Sequence, residues 1–132
     1  MAKTPTARTL AYLRDAGYLA EVVERRLPRC IVTVDLFNIA DVFALMPNEP
    51  PLLVQCTTGS NAAARVKKIL AAPHLRKVLA SGVAVEVWAW SKRGAHGKRK
   101  LWDVTRRPVT VADLDATGQD GNQGNDDDVR GT

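Results

Sequence analysis

The chain has 132 residues, 45% of them hydrophobic, and a formal net charge of +5. This length suits one domain with a single core, and two cysteines, Cys30 and Cys56, are too few for a disulfide framework or a zinc site. The N-terminus lacks the apolar core of a signal peptide, and no apolar run approaches the roughly 18 residues needed to cross a bilayer, so the sequence predicts a soluble cytoplasmic protein without a membrane partner.

The charge is distributed unevenly along the chain. From Pro108 onward there are six Asp, one Arg and no Lys or Glu, so residues 108–132 carry −5 and residues 1–107 carry +10. A domain this basic favours a polyanionic partner, and nucleic acid is the most abundant polyanion of the cytoplasm. The alternative is that the charge serves solubility alone.

Local signals divide the chain into a single α/β domain over residues 1–114 and a polar, aspartate-rich segment after it. Helices are predicted where helix formers lie between a capping residue and a glycine or proline, and strands where β-branched or alternating apolar residues occur. The predicted elements are a helix over 6–16, an extended segment over 18–26, a short strand over 31–34 or the lead into a turn at 35–38, strands over 39–46 and 52–58, helices over 62–72 and 74–81, a strand over 83–90, a basic loop over 91–100, a returning strand over 101–106, and a disordered acidic tail over 115–132.

The two strands over 39–46 and 52–58 carry polar residues inside apolar runs. Gln55 and Thr57 share one face of the second strand, because side chains alternate along a strand. If the hairpin turn is centred on position 49, Asp41 lies directly across from Thr57 and diagonal to Gln55. A buried, unpaired carboxylate is costly, so Asp41 is expected to face a cation, a metal ion or a hydrogen-bond donor.

The order of these elements and the polar residues on the central hairpin resemble the PD-(D/E)XK nuclease superfamily, in particular its small Holliday-junction-resolvase-like and Vsr-like members, which are often encoded by phages. The resemblance implies a restriction-endonuclease-like αβββαβ core, a mixed central sheet flanked by helices, magnesium- or manganese-dependent cleavage of branched or mismatched DNA, and a homodimer as a possible assembly. The residues that carry it are Glu24, Asp35-Leu36-Phe37, Asp41-Val42-Phe43-Ala44-Leu45, Val54-Gln55-Cys56-Thr57, Ser60-Asn61, Arg65, Lys67 and Lys68.

By this resemblance, Asp41 stands at the metal-binding aspartate of the superfamily, although Ala40 precedes it where the family has proline. Gln55 stands at the second acidic position, and Thr57 stands where the family has its lysine. A threonine hydroxyl cannot stabilise the charge that builds on the phosphate as a lysine does. Lys68 or Lys67, from the helix that follows, is the expected replacement.

Phosphodiester hydrolysis itself asks for a divalent cation held by hard oxygen ligands. Asp41 and Asp35 are the first candidates for the carboxylates, Gln55 for the neutral oxygen, and Glu24 for a third acid. Each residue also has a structural alternative: Asp35 as a turn former, Glu24 as an exposed ion pair beside Arg25, and Gln55 as a hydrogen-bonded core amide.

Basic side chains are predicted to contact the DNA backbone without reading its sequence. Trp88, Trp90 and Trp102 could stack on bases, but alternate strand positions favour a place in the core. Two further functions stay open: a catalytically inactive DNA-binding protein with this fold, and a structural or adaptor protein of a phage-like particle. The candidate DNA-binding residues are Arg65, Lys92, Arg93, Lys98, Arg99 and Lys100.

Overall fold

The computed structural model describes residues 3–26, 33–94, 97 and 99–121, and it shows a mixed α/β fold with a five-stranded sheet flanked by helices. Strand order in the sheet is β1-β4-β5-β6-β7, and β2 and β3 form a separate two-stranded sheet. The elements are α1 (Pro5–Asp15), β1 (Leu19–Val22), β2 (Arg25–Arg26), β3 (Thr33–Val34), β4 (Val42–Leu45), β5 (Leu52–Thr58), a 3-10 turn (Gly59–Asn61), α2 (Ala62–Leu70), α3 (Leu75–Ala80), β6 (Ala84–Arg93), β7 (Leu101–Val109) and α4 (Val111–Gly121).

Strand directions make the sheet mixed. Strands β1, β4 and β5 are antiparallel neighbours, whereas β6 runs parallel to β5. A parallel pair needs a long crossover connection, and α2 and α3 supply it between β5 and β6. Strand β7 then returns antiparallel to β6 and forms one edge of the sheet.

Two hydrophobic clusters cover the two faces of the sheet. The even-numbered residues of β5 pack with α1 on one face, and Leu53 packs with α2 and α3 on the other, as the alternation of side chains along a strand requires. Trp88 and Trp90 belong to the α1 face and are 0% and 7% exposed, so their predicted place in the core is confirmed, whereas Trp102 is 40% exposed.

Helix α1 is anchored to the sheet by a buried hydroxyl. Thr9, which is fully buried, donates to the carbonyl oxygen of Pro5 at 2.9 Å and accepts from the indole Nε1 of Trp90 at 2.9 Å. Replacing Thr9 with valine keeps the shape but leaves the indole N–H unpaired in the core. We expect Thr9→Val to lower the free energy of unfolding by about 1–3 kcal/mol in urea denaturation. Thr9→Ser keeps the hydroxyl and should lose less; a valine variant as stable as the serine variant would contradict this anchoring.

The hairpin between β4 and β5 differs from the predicted one. Val42 lies opposite Val54, which centres the turn on position 48, and not on 49. The reason is the tight turn that begins at Met46, in which Glu49 N donates to Met46 O at 3.1 Å and Asn48 has a φ of 69°. Proline at the second position and asparagine at the third position of a turn favour this conformation. Asp41 is therefore not opposite Thr57, and this prediction was wrong.

Other boundaries also differ from the predictions. The extended segment over 18–26 is divided between β1 and β2, and β7 continues to Val109 instead of ending at residue 106. Strand β4 begins at Val42, so residues 39–41 precede the strand, and β6 continues through residues 91–93 that were predicted as loop. Helix α4 extends through residues 115–121, which were predicted to belong to a disordered tail. Residues 122–132 lie outside the described part of the chain. None of the described helices is long and apolar enough to cross a membrane.

Candidate functional site

A turn over residues 35–38 and the three residues after it lead the chain into β4. The turn is closed by main-chain hydrogen bonds: Leu36 N donates to Ala40 O at 2.8 Å, and Asn38 N donates to Asp35 O at 3.1 Å. Phe37 and Asn38 both have positive φ, 55° and 62°. This backbone places Asp35 and Asp41 on the same cleft, although neither residue lies within a strand.

Asp41 is held at the beginning of β4 by main-chain and side-chain contacts. Its Oδ1 accepts from the backbone N–H of Cys56 at 3.0 Å, and its Oδ2 accepts from the hydroxyl of Thr6 at 3.4 Å. Its own N–H donates to Val54 O at 3.0 Å, which continues the antiparallel pairing with β5. Asp41 is 7% exposed, and among the described residues it makes no ion pair.

Burial raises the pKa of the Asp41 carboxyl above its ordinary value. The hydrogen bonds from Cys56 lower that pKa, and the negative charges of Asp35 and Glu24 raise it further. Burial also raises the pKa of the neighbouring Cys56 thiol, which keeps it protonated. Three acids thus lie close enough to act on one another, and the local charge favours the arrival of a cation or a proton.

Asp35 links the cleft to α2. Its Oδ2 accepts from Lys68 Nζ at 3.1 Å, and the two side chains are 15% and 35% exposed. The amide of Gln55, which is 3% exposed, faces Asp35 Oδ2 at 3.1 Å and the carbonyl oxygen of Ile39 at 3.3 Å. Because both of these neighbours are acceptors, the amide presents its Nε2 to them as a donor. Lys68, Asp35 and Gln55 therefore form one continuous polar chain.

These residues surround an open cleft of about 330 Å³, which we call the acidic cleft. Helix α2 supplies Arg65 and Lys68, the segment between β3 and β4 supplies Asp35 and Asp41, and Glu24 lies between β1 and β2. A carboxylate cluster with cations at its rim can hold an anion, a divalent cation, or both together. The acidic cleft is lined by Glu24, Val34, Asp35, Asn38, Asp41, Gln55, Cys56, Arg65 and Lys68.

Five candidate residues predicted from the sequence for catalysis or metal binding therefore meet in one cleft, and two do not. Thr57 is buried on the same face of β5 as Gln55 but does not line the acidic cleft. Lys67 is exposed on α2, whereas Lys68 enters the cleft. Of the two lysines proposed as the replacement, Lys68 is the one in position. The residues brought together are Glu24, Asp35, Asp41, Gln55 and Lys68.

The candidate DNA-binding residues fall in two places. Arg65 lines the acidic cleft, whereas Lys92 and Arg93 lie on β6, away from the cleft lining. Arg99 and Lys100 are exposed just before β7. The remaining candidate, residue Lys98, lies outside the described residues.

The sequence pattern did not predict the two residues that donate hydrogen bonds to the Asp41 carboxylate, Cys56 through its main chain and Thr6 through its hydroxyl. The backbone N–H of Cys56 holds Asp41, and a side-chain pattern carries no signal for a main-chain donor. Thr6 reaches Asp41 from α1, at a distance of 35 residues along the chain. Asn38 was visible in the sequence only as a turn residue, because asparagine favours turns and tolerates a positive φ.

Within the described ranges, no group of three His, Cys, Asp or Glu side chains is placed to hold a metal ion. Searches with protein-family models, among curated proteins and among solved structures found no match to this chain. Any function therefore has to be argued from the acidic cleft itself.

Proposed function

We propose that this chain is a divalent-metal-dependent endonuclease that hydrolyses DNA phosphodiester bonds, with branched or mismatched DNA as its substrate class. The observation that carries the proposal is the meeting of Asp35, Asp41, Gln55 and Lys68 in the acidic cleft. Asp41 has no ion-pair partner within the described part of the chain, so its buried carboxylate is costly to keep, and a bound cation would offset that cost.

The order of elements supports this proposal. Helix α1 is followed by β1, β4 and β5 as antiparallel neighbours, then by α2 and α3, then by β6 parallel to β5. With the small β2–β3 sheet set aside and α2 and α3 counted as one crossover, this order is compatible with the αβββαβ core that the resemblance to PD-(D/E)XK nucleases implies. Asp41, just before β4, and Gln55, on β5, are the residues that the resemblance proposes as metal ligands, and both line the acidic cleft.

The donor set in the acidic cleft suits a hard cation. The carboxylates of Asp35 and Asp41 and the amide oxygen of Gln55 are hard oxygen ligands, the kind that Mg²⁺ and Mn²⁺ prefer. The Gln55 amide now directs Nε2 toward Asp35. We infer that a half-turn of this amide presents its oxygen to the same point, where the oxygens of Asp35 and Ile39 already converge. With an amide in place of a second acid, the site has one negative charge fewer and should bind its metal weakly.

The side chains of the cleft divide the catalytic work between them. A cation bound at Asp35 and Asp41 would polarise the scissile phosphate and lower the pKa of the attacking water. Lys68, whose stem reaches over the cleft from α2, donates to the phosphate oxygens as negative charge builds on them. Arg65, one helical turn earlier on the same cleft, binds the neighbouring phosphate.

The proposal is tested with labelled four-way junction, flap, mismatched duplex and single-stranded DNA, each incubated with Mg²⁺, with Mn²⁺ or with a chelator. We expect metal-dependent cleavage of at least one branched or mismatched substrate by the wild-type chain and none by an Asp41→Asn variant purified in the same way. Thr57 in place of the family's lysine favours a second candidate, a catalytically inactive DNA-binding protein. Binding without cleavage in either metal supports that candidate, and neither binding nor cleavage at low salt contradicts both.

A further inference from the structure

The turn over residues 35–38 presents an aromatic ring to solvent next to the acidic cleft. Phe37 is 51% exposed, and its φ of 55° places it, with Asn38, in the left-handed region. Two consecutive non-glycine residues in this region are unfavourable, and such strain concentrates at functional sites. The hydrogen bonds that close the turn hold the backbone of Phe37 in this position.

Phe37 and His74 form the aromatic wall of a cavity of about 520 Å³, which we call the aromatic pocket. Their ring centroids lie 6.4 Å apart at an interplanar angle of 75°. Arg25, Asp35 and Asn38 add polar groups beside the apolar side chains of the lining, and a mixture of apolar walls with a few polar groups is typical of pockets that bind small ligands. Asp35 and Asn38 line both the aromatic pocket and the acidic cleft, so the two cavities adjoin.

We propose that the aromatic pocket receives one unpaired nucleobase, which stacks on Phe37 while a phosphate of the same strand occupies the acidic cleft. This inference rests on the proposed function, and it deepens it by naming what the substrate must contain. Every nucleobase has a π face, so stacking on an exposed aromatic ring needs no particular base. Arg25 carries the positive charge that suits the phosphate backbone leading into the pocket.

The same geometry predicts a preference for DNA that contains mispaired or unpaired bases. A base inside a duplex is stacked on both faces, so it has to be turned out before it can contact Phe37. This unstacking costs a few kcal/mol, and it costs least at a mismatch, a branch or an unpaired nucleotide. DNA of those kinds therefore gains the stacking energy of the aromatic pocket, whereas fully paired DNA first has to spend a similar amount.

The test compares two duplexes that differ by one unpaired adenine, and it uses the Asp41→Asn chain so that DNA is bound but not cut. Fluorescence anisotropy gives the affinity of this parent and of its Phe37→Ala, Phe37→Leu and Phe37→Trp derivatives. We expect alanine and leucine to weaken binding of the duplex with the unpaired adenine roughly tenfold, because base stacking on an aromatic ring is worth about 1–3 kcal/mol. Binding of the paired duplex should not change, and tryptophan should retain the preference.

Leu19→Ala is the matched control, since Leu19 is an apolar residue, 68% exposed, at the beginning of β1 and outside the lining of both cavities. Two binding results would overturn the proposed role of the aromatic pocket. One is that the parent and Phe37→Ala bind the duplex with the unpaired adenine equally well, and the other is that Phe37→Ala loses the same affinity for both duplexes. A Phe37→Ala chain that changes only its oligomeric state in sedimentation would also overturn that role, because Phe37 would then be a contact between copies. Metal-dependent cleavage by the wild type without any effect of Phe37 removes only this inference. If the binding preference depends on Phe37 but the wild type does not cleave DNA in either metal, the base-binding role of the pocket stands and the proposed nuclease activity is contradicted.

Discussion

Replacement of Asp41 by asparagine should abolish metal-dependent cleavage and at the same time stabilise the folded chain at neutral pH. Asparagine keeps both hydrogen bonds of Asp41, because its Oδ1 accepts from Cys56 N and its Nδ2 donates to the Thr6 hydroxyl. It removes a buried negative charge near Asp35 and Glu24, which is costly to keep in a fold. A residue retained against stability in this way is expected to serve function.

The sign of the pH dependence follows from the direction of the Asp41 shift. Burial raises the pKa of Asp41 in the folded state above 3.8, so the folded chain holds this proton more tightly than the unfolded chain does. Wild-type stability contributed by this group is therefore lost as pH rises from about 3.8 through the raised folded pKa. The asparagine variant has no such loss, and the difference between the two chains should grow over that range and stay constant above it.

Urea denaturation of both chains at a series of pH values measures this difference. The contribution of Asp113, whose pKa is lowered to about 2 by its hydrogen bond with Arg107, cancels because both chains contain it. Cleavage by Asp41→Asn should fall at least about 100-fold, the scale of losing one electrostatic contact to a transition state. An asparagine variant that is less stable than the wild type at pH 7, or that still cuts DNA, would contradict the role of Asp41.

Asp103→Asn is a suitable control for this experiment. Asp103 lies on β7, its side chain is 60% exposed, and its carboxylate is 3.7 Å from Arg93. An exposed pair of this kind contributes at most about 1 kcal/mol. The control substitution removes the same charge from the same fold, so it should leave both cleavage and the pH dependence of stability close to wild type.

Local signals in the sequence were enough to predict most elements of this fold. Thr4 caps α1 by accepting from Ala7 N at 3.1 Å, and Gly17 follows the helix with a φ of 99°, as its position after the helix predicts. The alternation over residues 83–90 correctly predicted that Trp88 and its neighbour Val87 lie on opposite faces of the sheet. These features depend on a few adjacent residues, so they are visible without tertiary context.

The register of the β4–β5 hairpin could not be predicted in the same way. It depends on whether Asn48 or Glu49 adopts the positive φ, and turns centred on position 48 and on position 49 were both compatible with the apolar pattern. The error moved the partner of Asp41 by two residues and made Thr57 a candidate for the cleft. The carboxylate was still placed near Gln55, because a shift of two residues keeps every side chain on its face.

The sequence predicted those residues of the acidic cleft that contribute charged side chains, but not the features that depend on the main chain. Asp35, Asp41 and Lys68 stood out as charged residues near apolar strands, and they do line one cleft. The hydrogen bond from Cys56 N and the exposed turn at Phe37 depend on backbone conformation, which the pattern of side chains does not encode.

Removal of the Lys68 amine should reduce turnover far more than DNA affinity. Lys68 Nζ lies 3.1 Å from Asp35 Oδ2, and it is the lysine that lines the acidic cleft. If it stabilises the charge that appears on the phosphate during attack, Lys68→Ala should lower the cleavage rate by about 100- to 1000-fold. Affinity should fall by less than about tenfold, because one phosphate contact is only a small part of backbone binding.

Lys67→Ala is the matched control, since Lys67 is the neighbouring residue on α2 but is exposed outside the cleft. Single-turnover cleavage rates at saturating protein separate chemistry from binding, and anisotropy in Ca²⁺ gives the affinity. An equal loss of rate and affinity in Lys68→Ala would mean that this amine only holds the backbone. A rate loss confined to Lys67→Ala would assign the catalytic amine to Lys67, on the exposed face of α2. The salt bridge between Lys68 and Asp35 in the acidic cleft argues against that outcome.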